Sequence, residues 1–292
     1  MAGAREEVTA SAGSLRKAFW IDFDEASAHV NTLMGLADED PDDRPTCVVL
    51  VGQSGMGKTS ILKEVGRRMR VAYPEPKGWG EARHIPMLHA VVPSKPSALR
   101  INLALLWKQG WPLTRRTNQI ADLKVAELLG VQGTRLVAID NVHAVLTASG
   151  RARRDALDSF RFLMSEGNVH MVVAGLDVAA DIFSEDVELA YRSIILRLTP
   201  WPPGAPSQNL IRALARGMDM IEPDRFAEPE IAEFIWRNSH GVTGNFKRLL
   251  HRGMCVARDR YGRMRVDPSD IVEAAGYFPS YMNRDRAEPT RS

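Results

Sequence analysis

At 292 residues, 45% hydrophobic and 25% charged, the chain can bury a full apolar core in one large or two modest domains, which excludes a disordered or low-complexity polymer. Its formal net charge of +2 excludes a molecule-wide polyanion-binding field, so any nucleic-acid contact has to come from a local basic patch. The longest apolar runs, such as CVVLV and MVVAG, are too short to cross a bilayer.

Residues 1–14 are small and polar and read as a flexible N-terminus, without the apolar stretch of a signal peptide. LRKAFWIDFDEASAHVNTLMGLA, residues 15–37, gives an aromatic entry and then a helical pattern. DEDPDDRP, residues 38–45, is an acidic, proline-bounded loop. Five short apolar runs follow, with helical stretches between them: TCVVLVG, IPMLHAVV, TRLVAID, HMVVAG and SIILRL. Runs of this length suit strands buried on both faces, and their alternation with helices predicts a parallel, five-stranded α/β sheet covered by helices. Cys47 opens the first strand and is expected to pack there; with Cys255 it makes no disulfide framework, and a reducing, cytoplasmic setting is the expectation. WKQGWPL, with Trp107 and Trp111, ends an amphipathic helix in a packing role. The proline cluster TPWPPGAPS, residues 199–207, ends the alternating pattern. It sets a core at 15–205, a small helical domain at 206–278 and a polar tail at 279–292.

The first of these strands leads into the motif that carries chemistry. Gly52, Gln53, Ser54, Gly55, Met56, Gly57, Lys58, Thr59 and Ser60 fit G-x-x-x-x-G-K-[ST], the Walker A phosphate loop, between a strand and a helix as its mechanism requires. Glycines let the backbone amides face phosphates, and the helix N-terminus adds a favourable dipole. Lys58 is placed to reach the outer phosphates and Thr59 to sit on Mg²⁺, so ATP and Mg²⁺ are the expected cofactors. Asp140, ending RLVAID, is the matching metal-side carboxylate.

FWIDFDEA, VGQSGMGKT, VVPSKPSALR, LVAIDNVHAVL, VVAGLDVA and ELAYRSIILRLTPW, in that order, resemble the TniB/TnsC-type AAA+ ATPases of DNA transposition. The resemblance implies an AAA+ P-loop NTPase core with a C-terminal helical lid domain. It implies an ATP-dependent ring or filament, a homo-oligomer on double-stranded DNA, that marks the target and recruits a DDE-type transposase, often with a TniQ-like partner. Arg192 falls where the family carries an arginine finger for a neighbouring subunit, and Lys247 or Arg248 where it carries the second sensor. The DNA-facing stretches of the family match PSKPSALR, with Lys95 and Arg100, and SGRARR, with Arg151, Arg153 and Arg154. Sequence-independent phosphate contacts are the expected mode. Trp20 and Phe23 match a segment that packs near adenine in related ATPases, with core anchoring as the alternative.

Two positions depart from the family. Its catalytic glutamate is Asn141 here, and its first sensor, a polar residue ending the fourth strand, is Leu176. Asparagine can hydrogen-bond water but cannot take its proton, and leucine can do neither. Asp177 is a poor substitute if it alternates with Leu176 on a strand. His143, which the family also carries, reads as structural. Hydrolysis is therefore expected to be weak or absent. Competing readings are a P-loop signalling or defence switch acting on a protein partner, and a helicase-loader-like AAA+ protein. No effector or repeat-sensor pattern supports the first, and no helix-turn-helix the second.

Overall fold

The computed structural model describes residues 20–41, 44–80, 82–147 and 149–276. The segments 1–14 and 279–292 lie outside the described residues. Cα packing divides the chain into one compact unit over Asp22–Leu198 and another that takes in Thr199 onward.

The first unit holds five parallel strands, β1 (Cys47–Val51), β2 (Met87–Val91), β3 (Leu136–Asp140), β4 (His170–Gly175) and β5 (Ser193–Arg197), in the order β2-β3-β4-β1-β5. β1, β3 and β4 are buried at every position, which is why they read as unbroken apolar runs. β5, on the edge, has an exposed-to-intermediate pattern throughout. Burial pushes the Cys47 thiol up to about 12, so the side chain packs as an inert apolar group.

The connections are α1 (Asp24–Asp38), α2 (Lys58–Ala72), α3 (Ala98–Gln109), α4 (Ala121–Val131), α5 (Gly150–Glu166), α6 (Val178–Glu185) and α7 (Val187–Tyr191). One continuous core joins alternate strand residues, among them Val49, Leu88, Ile139 and Val173, to Ile101 and Leu105 of α3, Val125 of α4 and Phe160 of α5. α3 turns those residues inward, and Trp107 thereby points outward, 65% exposed. The packing role expected for Trp107 is not what it does; Trp111 is the one packed on the core.

The second unit is helical: α8 (Ala205–Gly217), α9 (Pro229–Ser239), α10 (Thr243–Tyr261) and α11 (Pro268–Ala275), around Leu210, Phe226, Ile235, Phe246 and Ile271. A capping box formed by Asp267 and Asp270 starts α11. Between α9 and α10, Gly241 holds φ +70, and a Cβ there would meet the Trp201 carbonyl oxygen at 2.5 Å. Among the described residues no helix is long and apolar enough to cross a membrane.

α2 carries a buried carboxylate. Glu64 accepts from Arg67 Nε and Nη2, at 2.8 and 2.6 Å, and from Arg68 Nε at 2.9 Å. The Arg67 hydrogen bonds hold its pKa down to about 2 against the opposing effect of burial, with Arg68 adding to the depression. Because the folded value lies below the unfolded one, this stabilisation is present above the ordinary carboxylate range and is lost as pH falls toward about 2. Glu64→Gln is expected to lower the denaturant midpoint at pH 7, and its gap from the wild type is expected to narrow from pH 5 to pH 3 in matched urea titrations.

Candidate functional site

β1 ends at Val51 and α2 starts at Lys58, so the chain turns sharply between them. Gly52, Gly55 and Gly57 take φ values of 153, 84 and 98°. At Gly52 close approach adds to the need: a Cβ would lie 2.9 Å from the carbonyl oxygen of Leu198, just past β5. At Gly57 the space is open and only the left-handed backbone requires glycine.

Lys58 is the first residue of α2 rather than a loop residue, and is 8% exposed. Its ammonium donates to the carbonyls of Gly52 and Gln53 at 2.6 and 2.7 Å. Burial lowers its pKa, opposed by the charges of Asp140 and Asp177. The next residue, Thr59, donates its hydroxyl to Asp140 Oδ2 at 2.6 Å. Asp140 Oδ1 in turn accepts the Asn141 amide at 2.8 Å. Asn141 has φ +62, a conformation asparagine tolerates better than most residues.

Strand order brings these groups together. β4 lies between β1 and β3, with Val51 paired to Gly175 and Asp140 to Ala174. The end of β4 is thus flanked by the glycine loop on one side and Asp140 on the other. Leu176 follows Gly175 there. A cavity of about 400 Å³ opens between them, walled by the loop, Lys58, Thr59, Ser60, Asp140, Asn141, His143 and Leu176. Met56 is buried beneath the loop rather than in the cavity wall. Asp177 lies past the strand, at the start of α6, where strand alternation does not apply; it pairs with Arg197 at 3.2 Å. His143, read from the sequence as structural, lies on the cavity wall: the 3₁₀ turn Val142–Thr147 places it there, and its Nδ1 is buried without a hydrogen-bond partner. Its spacing of three residues from Asp140, one 3₁₀ turn, was the signal available.

The remaining expected site residues lie elsewhere. Arg192 precedes β5, its carbonyl accepting from Cys47 at 2.8 Å, which puts it at the opposite end of the sheet from Gly52. Its guanidinium pairs with Glu188 at 3.1 Å. Lys247 and Arg248 are exposed on α10. Phe23 caps α1 and is half-buried, while the Trp20 indole N–H is buried without a partner. Lys95 and Arg100 flank the start of α3, and Arg151, Arg153 and Arg154 lie in the first turn of α5. Ser97 and Ser149 cap these helices, each accepting a backbone amide at 3.3 Å. α3 and α5 follow neighbouring parallel strands and touch through Asn102 and Ser159, 3.0 Å apart. Their starts therefore share the end of the sheet that holds the cavity. Among the described residues none of these five cations enters an ion pair, whereas Arg161, Arg212 and Arg263 do.

The model of the family described as Bacterial TniB protein matches residues 12–203. The chain belongs to the TniB family. Comparison with curated proteins finds no match. Among solved structures, the Aeropyrum pernix ORC2 protein in ADPNP–ADP complexes is similar over 98% of this chain and 72% of its own, at 16% identity and a TM-score of 0.62. Domain III of the Thermotoga maritima replication initiation protein DnaA matches over 87% of this chain and 92% of its own, at 14% identity and 0.57. The Aeropyrum pernix ORC1 protein in complex with DNA matches over 90% and 68%, at 17% identity and 0.65. These likenesses establish the fold: an AAA+ P-loop NTPase core, with a helical C-terminal part.

A curled, glycine-bearing loop at a helix N-terminus, a buried ammonium and a hydroxyl–carboxylate pair are groups that could hold phosphate oxygens and a hard cation in this TniB-family chain. Gly52→Ala forces the loop off Leu198 and is expected to lower conformational stability by about 1–3 kcal/mol, measured by urea denaturation of the full chain.

Proposed function

We propose that this TniB-family protein binds ATP with Mg²⁺ at the glycine loop and assembles as a homo-oligomer, ring or filament, on double-stranded DNA. There it marks target DNA and recruits a DDE-type transposase, with a TniQ-like protein as a further partner. The observation that supports this reading is the make-up of the cavity: Lys58, Thr59 and Asp140 line it together with Asn141, whose side chain cannot take a proton, and Leu176, whose side chain cannot hydrogen-bond. In this reading residues 15–205 are the nucleotide-binding core and 206–278 the lid.

Bound Mg²⁺ and triphosphate supply the charge that Lys58, Thr59 and Asp140 are placed to recognise. Lys58 would hold phosphate oxygens, and Thr59 and Asp140 would hold the metal, which would supply charge neutralisation there. Asn141 can orient water through its amide but cannot accept its proton, and Leu176 offers no hydrogen bond. Loss of a general base costs about 10²–10⁴ in rate, so the ATP-bound assembly is long-lived. Arg192 serves a neighbouring subunit's site, and Lys247 or Arg248 acts as second sensor from the lid. The cations at the starts of α3 and α5, without ion-pair partners among the described residues, grip backbone phosphates, and the fold shared with an ORC1 protein solved with DNA supports that use. Electron micrographs of protein, duplex DNA and a non-hydrolysable ATP analogue test the whole reading: ordered assemblies on DNA that require nucleotide support it, and their absence overturns it.

Lys58→Ala is expected to abolish ATP binding while the domain stays folded, checked by equilibrium binding beside thermal melting. With about four phosphates neutralised per subunit, log affinity for DNA is expected to fall against log salt with a slope near −0.9 per contact. Replacing Arg151, Arg153 and Arg154 together is expected to weaken binding about equally on all sequences. Binding indifferent to salt and to this triple change points instead to a switch acting on a protein partner. Asn141→Glu is expected to raise single-turnover phosphate release by up to about 10²-fold. The left-handed backbone at 141 resists glutamate by about 1 kcal/mol, and Leu176 still leaves water unoriented, so the gain falls below that ceiling.

A further inference from the structure

His143 is the cavity-wall residue whose chemistry the proposed function leaves unused. Its 3₁₀ turn packs closely on the end of β4: a Cβ on Gly175 would lie 3.3 Å from the His143 backbone nitrogen and 3.0 Å from Val142 Cγ1. Leu176, the residue after Gly175, is on the same wall. This is the end of the strand flanked by the glycine loop and by Asp140. Leu176 presents no donor there. His143 brings a ring with two nitrogens to the same place, and Nδ1 is buried without a partner. Nδ1 is closed off from the cavity, so Nε2, which is not among the buried unpartnered atoms, is the ring nitrogen left open to a ligand there.

We propose that His143 is the residue by which this site distinguishes a nucleoside triphosphate from a diphosphate. A ring N–H donates to an oxygen of the terminal phosphate, supplying from the turn after β3 the contact that β4 lacks at Leu176. The inference rests on the nucleotide reading of the cavity. Its consequence is that the nucleotide-dependent assembly is set by an imidazole and not by the fourth strand.

The test is equilibrium binding of ADP and of a non-hydrolysable ATP analogue, each with Mg²⁺, to the full chain. The variants are His143→Ala, His143→Phe, which keeps the ring's bulk if alanine unsettles the turn, and His143→Ala combined with Leu176→Asn. The wild type is expected to prefer the triphosphate. Both single variants are expected to lose triphosphate affinity by about tenfold or more, with ADP affinity held within about twofold. The double variant is expected to regain part of the preference, because asparagine restores a donor at the end of β4. An unchanged ratio in the single variants, or an equal loss for both nucleotides, overturns the proposal while leaving nucleotide binding in place. A wild type that binds neither nucleotide overturns the nucleotide reading and this proposal together.

Discussion

The 2.6 Å hydrogen bond between Thr59 and Asp140 is the constraint around which the site is arranged. It joins the start of α2, the helix that follows β1, to the end of β3, and β4 separates β1 from β3 in the sheet. For that span to close with one hydroxyl and one carboxylate, three strand ends have to be level. The parallel register provides this, pairing Val51 with Gly175 and Ala174 with Asp140. Any slip of β4 would move Leu176 and break the alignment of the two polar groups across it. The close packing of Gly175 on Ala179 and Val142 opposes such a slip. Core packing and site geometry are therefore one requirement: the buried apolar runs of β1, β3 and β4 fix the register that the polar atoms need.

Much of this was legible in the sequence because its signals are local. Five apolar runs bounded by turn residues became five strands, and G-x-x-x-x-G-K-T became a strand–loop–helix turn with glycines at positive φ. The order β2-β3-β4-β1-β5 was not legible, since parallel strands give no register in their own residues. That is why the sequence could name Asp140 and Leu176 but not show that β4 stands between the loop and Asp140. Strand alternation failed at Asp177 for a related reason: β4 stops at Gly175, two residues earlier than that argument needs. Trp107 defeated the amphipathic reading because α3 commits its inner face to Ile101, Leu105 and Leu106. The Glu64 cluster left a spacing cue, arginines three and four residues on, but only burial of the carboxylate makes it matter.

The distribution of arginines separates two uses of positive charge. On α5, Arg161 meets Asp158 and Asp186 and fastens the helix to the segment before α7. About two to three turns earlier on the same helix, Arg151, Arg153 and Arg154 have no anionic partner among the described residues. A helix N-terminus already carries partial positive charge, so cations there raise the energy of the isolated chain. That arrangement is unfavourable for stability alone and becomes favourable beside a polyanion.

Asn141 joins the backbone and the chemistry in one residue. The chain leaves β3 through a left-handed turn, so that the Asn141 amide can reach back to Asp140 Oδ1. Asparagine accepts that conformation at lower cost than a longer side chain does, and it keeps a polar amide at the cavity wall. A glutamate at this position would combine a proton acceptor with added backbone strain and with a second negative charge near Asp140, whose attraction to Lys58 already opposes the effect of burial. Asparagine avoids both the strain and the repulsion while Thr59 and Asp140 keep their bond. In the proposed reading, a site built this way favours the holding of its ligand over its turnover, and the backbone at 141 is part of the reason.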